Sequence, residues 1–126
     1  MQTFVLISLG AILGANARFW VSGWAAGRWG TAFPVGTVLI NISGSLLLGL
    51  GVSLSAGRLT LDPRLRNLLI VGFLGSYTTF STYPNESVQF LLDGRWAPGP
   101  VNLIGSAIAG GAAAAVGIVI GNWLSS

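Results

Sequence analysis

An all-α membrane protein with four spans, the third of them broken near its centre, is what this sequence predicts, and three observations carry the prediction. Of the 126 residues, 52% are hydrophobic and only 7% charged, with a mean hydropathy of +0.76, far more apolar than a soluble domain of this size. Three stretches reach the ~20 apolar residues that a helix needs to cross the hydrocarbon core. A fourth is long enough overall, but "GFLGSYTTFSTYPNE" at 72–86 sets six hydroxyl side chains (Ser76, Tyr77, Thr78, Thr79, Ser81, Thr82) around Phe80 and Tyr83 in its middle.

The first span is expected from about Thr3 to Ala25. Its apolar core ends in Ala15-Asn16-Ala17, which has the form of a signal cleavage site, but "MQT" supplies no basic residue and apolar sequence resumes after Arg18. The first helix is therefore expected to stay. The second span is read over Val35 to Ala56 and the last over Val101 to Leu124. Between them, "LRNLLIVGFLG" and "SVQFLL" are each too short to cross alone, and joined they make one interrupted span over about Leu65 to Leu92. Pro84 suits a helix restart, because proline is tolerated in a first turn. Glu86 just beyond would face the positive end of that helix. The linkers "GRWGTAFP", "AGRLTLDP" and "DGRWAPGP" combine Gly, Pro and an arginine, and residues 1–126 read as one transmembrane domain.

Several function classes fall away on composition. The chain has no Cys and no His, which removes disulfides, thiol chemistry, zinc sites of the usual kind and histidine catalysis. Its high pI of about 10.7 comes from six scattered arginines with no basic stripe to follow a phosphate backbone, so no nucleic-acid partner is expected. Asp62, Glu86 and Asp93 are the only acids, none paired at short spacing, and no enzyme is expected.

The arginines speak instead about orientation. With four spans, Arg18, Arg28 and Arg95 fall on one side and Arg58, Arg64 and Arg66 on the other. A balanced count gives no strong bias, so the chain is expected to insert both ways and pair antiparallel in the bilayer. Gly10 and Gly14 form a G-x-x-x-G in the first span, and Gly105, Ala109, Gly110 and Gly111 give the last a small-residue face; both are read as packing surfaces.

Polar residues within the spans are more specific. Thr37, Asn41 and Ser45 recur every four residues and share a helical face, as do Asn102, Ser106 and Gly110. Single hydroxyls can bond a carbonyl one turn back, but the Asn41 amide needs a partner on another helix or a wet pathway. Non-helical backbone at membrane depth is tolerated only where protein buries it or where it lines a cavity. Carbonyls exposed at such a break suit a cation; hydroxyls and amide N–H groups suit an anion. The positive ring edges of Phe80 and Tyr83 could also face a small anion.

At this point "GAILGANAR" (10–18), "GTVLINISGSLLLG" (36–49) and "GFLGSYTTFST" (72–82), with Glu86 following, resemble the Fluc family of fluoride ion channels over essentially the whole chain. The resemblance implies four helices per subunit with the third broken, a dual-topology antiparallel dimer with two pores, and passive fluoride export across a bacterial inner membrane. It implies that Asn41 is the pore asparagine, Phe80 and Tyr83 stand where the family has two phenylalanines, Ser106 belongs to a polar track, and Gly110 stands where a second hydroxyl is common. It also implies that Gly75 and Thr78 carbonyls hold a structural sodium ion, Na+, at the dimer centre. Thr79 and Ser81 would add donors near the break. Ser76-Tyr77, Tyr83 and Pro84-Asn85 depart from the family pattern, and some members pair two unlike subunits, so a homodimer and a heterodimer both stand. A small dual-topology multidrug exporter is the alternative, but it would want a carboxylate in the first span, and none is there.

Overall fold

The computed structural model describes residues 1–57 and 60–126; Arg58, counted above among the loop arginines, lies outside the described residues. The chain forms α1 (Gln2–Trp29), α2 (Val35–Ala56), α3 (residues 63–77), α4 (Thr82–Leu92) and α5 (Pro98–Ser125). Among the described residues, α1, α2 and α5 are the helices long and apolar enough to cross a membrane. α3 and α4 are separate shorter helices, with Thr78 in an extended conformation (φ −74°, ψ 154°) between them.

Local sequence accounts for most of the boundaries. Asp62 starts α3 by accepting the Arg64 backbone N–H at 2.7 Å, with Pro63 in the first turn, where its missing N–H is no loss. Pro98 does the same for α5, which begins before the apolar run at Val101. α4 closes at "LLDGR": Gly94 turns left-handed (φ 75°), its N–H bonds the Leu91 carbonyl at 3.1 Å and the Arg95 N–H bonds the Phe90 carbonyl at 2.7 Å. This paired closure is the Schellman geometry, and glycine enters it without the Cβ penalty.

α3 contains a feature that hydropathy does not announce. Arg66–Leu74 winds as a π-helix, and the Gly75 N–H reaches back to the Ile70 carbonyl. Wide turns of this kind occur mostly as short local departures near functional sites.

α1 packs mainly along α3, and α5 mainly along α2. Both seams are glycine-lined. Gly10 and Gly14 face Leu68 and Phe73, and a methyl group on the opposing Gly72 would sit only 2.6 Å from the Ile7 carbonyl oxygen. On α5 the close contacts are made by Gly117 and Gly121 against Leu46, Leu50 and Ser53, whereas Gly105 and Gly111 meet open space. Of the small-residue face expected at Gly105 to Gly111, Gly110 comes near Ser45 of α2, while Gly105 and Gly111 take no part in the intrachain seam. Hydropathy cannot see this difference, since glycine tolerates either environment; the partner helix decides it.

Phe4, Leu13, Phe19, Ile108 and Val119 point outward, as they must where lipid is the solvent. Trp24 and Trp29 meet edge to face at 5.2 Å near one end of the bundle, where Trp96 also lies; Trp123 stands near the other. Indole rings favour such interfacial depths.

Candidate functional site

The break between α3 and α4 is held by side chains of α2 and by a backbone carbonyl of α1. The Thr78 N–H still bonds the Leu74 carbonyl at 3.1 Å, but the next N–H, that of Thr79, turns to Asn41 Oδ1 at 2.9 Å. Asn41 Nδ2 in turn donates to the Thr79 carbonyl at 3.1 Å. One amide on an unbroken helix therefore satisfies both backbone groups of a residue that the break would leave unpaired. Ser76 Oγ lies 3.0 Å from the Ala11 carbonyl of α1 and shares its one proton between that oxygen and the Gly72 and Phe73 carbonyls of its own helix; on α2, Ser43 Oγ meets the Tyr77 hydroxyl at 3.0 Å. Ser76 and Tyr77, read from sequence as two of the six crowded hydroxyls and as departures from the family pattern, thus bring the last turn of α3 against α1 and α2. Gly44 makes room for the Thr78 methyl group, which approaches too closely for any Cβ there.

Beside the clamp lies a groove of about 260 Å³ whose wall includes Asn41, Thr79, Phe80, Tyr83 and Ser106. Five of the six residues proposed from sequence for anion passage are therefore neighbours. Ser81 is exposed and precedes α4 outside this wall. Ser45, on the Asn41 face of α2, completes the wall beside Gly110. The periodicity Thr37, Asn41, Ser45 was the signal that could have found it.

Hydrogen-bond arithmetic says what the groove offers. Asn41 uses its oxygen and one N–H on Thr79, leaving a second N–H. The Thr78 hydroxyl donates to the Leu74 carbonyl at 3.0 Å, and the Thr79 and Thr82 hydroxyls share a bond at 2.8 Å. Phe80 and Tyr83 meet edge to face, with centroids 5.7 Å apart and planes at 86°. Phe80 is 80% exposed, so its ring stands at the open side of the groove. A few donors, polarised ring edges and little formal charge suit a small acceptor-only ion.

One turn along the same helices lies a second cavity, about 330 Å³, bordered by Thr37, Glu86, Gln89, Phe90, Asp93 and the 30–34 connection. Thr37 Oγ1 donates to Glu86 Oε1 at 2.8 Å, so Glu86 reaches across to α2. Its other oxygen is buried without a partner among the described residues. The 30–34 connection is pinned from α4: Phe33 stacks on Phe90 at 6.4 Å, Arg95 lies 4.5 Å from the Phe90 ring centroid, and its guanidinium donates to the Ala32 carbonyl at 2.6 Å. The closing turn at Gly94 is what directs Arg95 back to this position.

Gly75 and Thr78, the positions implied for a cation, lie at the break itself. The Thr79 N–H would normally serve the Gly75 carbonyl one turn back, and it is used by Asn41 instead. Gly75 is exposed, and a Cβ there would meet only the Ile70 carbonyl oxygen, at 3.9 Å.

Comparison with known proteins gives a consistent picture. The family model described as "CrcB-like protein, Camphor Resistance (CrcB)" matches residues 5–118. A "Fluoride-specific ion channel FluC" of Chloroflexus aurantiacus is 43% identical over 123 residues, covering 98% of each chain. Proteins of the same name from Koribacter versatilis and from a Synechococcus species are 45% and 41% identical, over 76% and 90% of this chain and 76% and 88% of theirs.

Proposed function

The chain belongs to the CrcB-like family, and from that premise we propose that it is a fluoride channel, passing the ion passively through the groove at the α3–α4 break. The observation that carries this reading is the Asn41 clamp, which holds a broken membrane helix open beside Phe80, Tyr83 and Ser106 without any formal charge in the wall. Fluoride is small, strongly hydrated and an acceptor only, so it needs donors to replace its water, and weak successive sites let it leave as well as enter. The Asn41 N–H, the hydroxyls of Ser45, Ser106 and Tyr83, and the edges of Phe80 and Tyr83 supply such sites. No energy source is needed: fluoride that enters as HF and ionises inside leaves down its gradient.

The working unit in this reading is an antiparallel homodimer with two pores. The balanced arginines support it. Sodium at the centre would be held by the Gly75 and Thr78 carbonyls; the Gly75 carbonyl fits such a role because Asn41 has taken its usual N–H partner. The test of the reading is fluoride release from liposomes carrying only this purified chain. Release measured with a fluoride electrode supports both transport and homomeric sufficiency; vesicles that hold their fluoride while the protein is dimeric would overturn it.

The dimer reading makes its own prediction. Two lysines added after Ser126 join the end that holds Arg64 and Arg66, and bias that end toward the cytoplasm. Dimer yield should fall several-fold, and co-expression of an oppositely biased chain should restore it. Full yield and full efflux from the singly biased chain would exclude antiparallel pairing.

A further inference from the structure

Asn102 lies behind the groove and not in its wall, and it is wholly buried. Its Nδ2 donates to the Tyr83 carbonyl at 3.1 Å and to Ser87 Oγ at 3.1 Å. The carbonyl can only accept, so the orientation of the amide is fixed: nitrogen toward α4, oxygen toward Ser106. Ser106 Oγ then donates its single proton to Asn102 Oδ1 at 3.1 Å. The hydroxyl that borders the groove therefore turns its lone pairs, and not its proton, toward any ion in it.

We propose that Asn102 is a positioning residue for anion passage: it parks the Ser106 proton, so that Ser106 becomes a donor to the ion only by leaving Asn102. This rests on the fluoride-channel reading and deepens it. An acceptor-only ion can be held by Ser106 only if the hydroxyl rotates away from Oδ1, which leaves a buried carbonyl oxygen without a partner. That cost weakens the site, and a weak site releases its ion quickly. Asn102 thus acts on residence time through Ser106 and touches no ion itself.

Replacing Asn102 with leucine separates this role from simple packing. Leucine has a similar volume, and the Tyr83 carbonyl keeps its bond from Ser87 Oγ at 2.6 Å, so that carbonyl is not orphaned. Ser106 is then free to turn its proton to the ion without stranding a side-chain oxygen.

The experiment measures initial fluoride efflux from liposomes against internal fluoride concentration for wild type, Asn102→Leu, Ser106→Ala and the double variant. In Asn102→Leu the half-saturating concentration should fall by about five- to tenfold, the worth of one hydrogen bond that no longer has to be broken, and the maximal rate should fall with it. In the Ser106→Ala background the same change should move half-saturation less than twofold. Asn102→Ala, read in the same two backgrounds, provides the comparison if the leucine variant does not assemble. Equal shifts with and without the Ser106 hydroxyl, a raised half-saturation, or loss of amplitude alone would each overturn the proposal. A wild-type protein that releases no fluoride would instead overturn the channel reading itself, before any variant is compared.

Discussion

Asn41→Asp is expected to reduce fluoride efflux by roughly a thousandfold while leaving folded dimers. Two effects act together. Aspartate can still accept the Thr79 N–H, but in place of the Nδ2 donor it sets a second acceptor against the Thr79 carbonyl, which is left buried and unpaired. It also puts a negative charge beside the path of an anion, and at ~4 Å with an effective dielectric near 20 that repulsion is about 4 kcal/mol, roughly a thousandfold in rate. Asn41→Leu separates the two, since it removes the clamp without adding charge. If the clamp matters, leucine should lose at least about tenfold, the cost of orphaning a backbone group. Near-normal efflux in Asn41→Leu beside a dead Asn41→Asp would mean that charge exclusion alone explains the effect. Near-normal efflux in both would reduce Asn41 to packing. Size-exclusion chromatography of each variant checks that dimers persist.

That clamp also marks the limit of what the sequence can say. Spans were legible because lipid demands long apolar runs, and Thr37, Asn41 and Ser45 were legible as one face because helical periodicity is local. The crowded hydroxyls at 76–82 pointed to backbone that is not simply helical, since carbonyls and N–H groups at membrane depth need partners. The identity of those partners was not readable. Nothing near Asn41 in the chain says that both its amide atoms will close on Thr79, 38 residues away. The same holds for Asn102, whose polarity toward Ser106 is set by a carbonyl on α4. Gly117 and Gly121 rather than Gly105 and Gly111 make the α5 seam, because the contact depends on where α2 lies. The π-helical stretch Arg66–Leu74 has no signature in hydropathy, since a change in backbone winding leaves the composition untouched.

The aromatic pair offers the sharpest test of the groove chemistry. Phe80→Ile fills similar space but loses the polarised ring C–H groups and ends the edge-to-face contact with Tyr83. Efflux should fall by up to about tenfold, the ~1.5 kcal/mol upper range for such ring interactions, while dimers remain intact. Tyr83→Phe should behave in the opposite way. The Asn102 and Ser87 bonds at this residue are made to its carbonyl, so removing the phenol leaves them in place, and the ring and its contact with Phe80 survive. The change removes one donor from the groove wall, and if that donor slows release, efflux should rise by a few-fold. A dead Tyr83→Phe beside a normal Phe80→Ile would reverse the assignment: the phenolic hydroxyl would then be the group that replaces water, and the ring edges would only pack. Because the two substitutions act on neighbouring residues, their combination is informative as well. Residues that hand an ion from one to the other should give effects that do not add in free energy, whereas independent effects should multiply in rate.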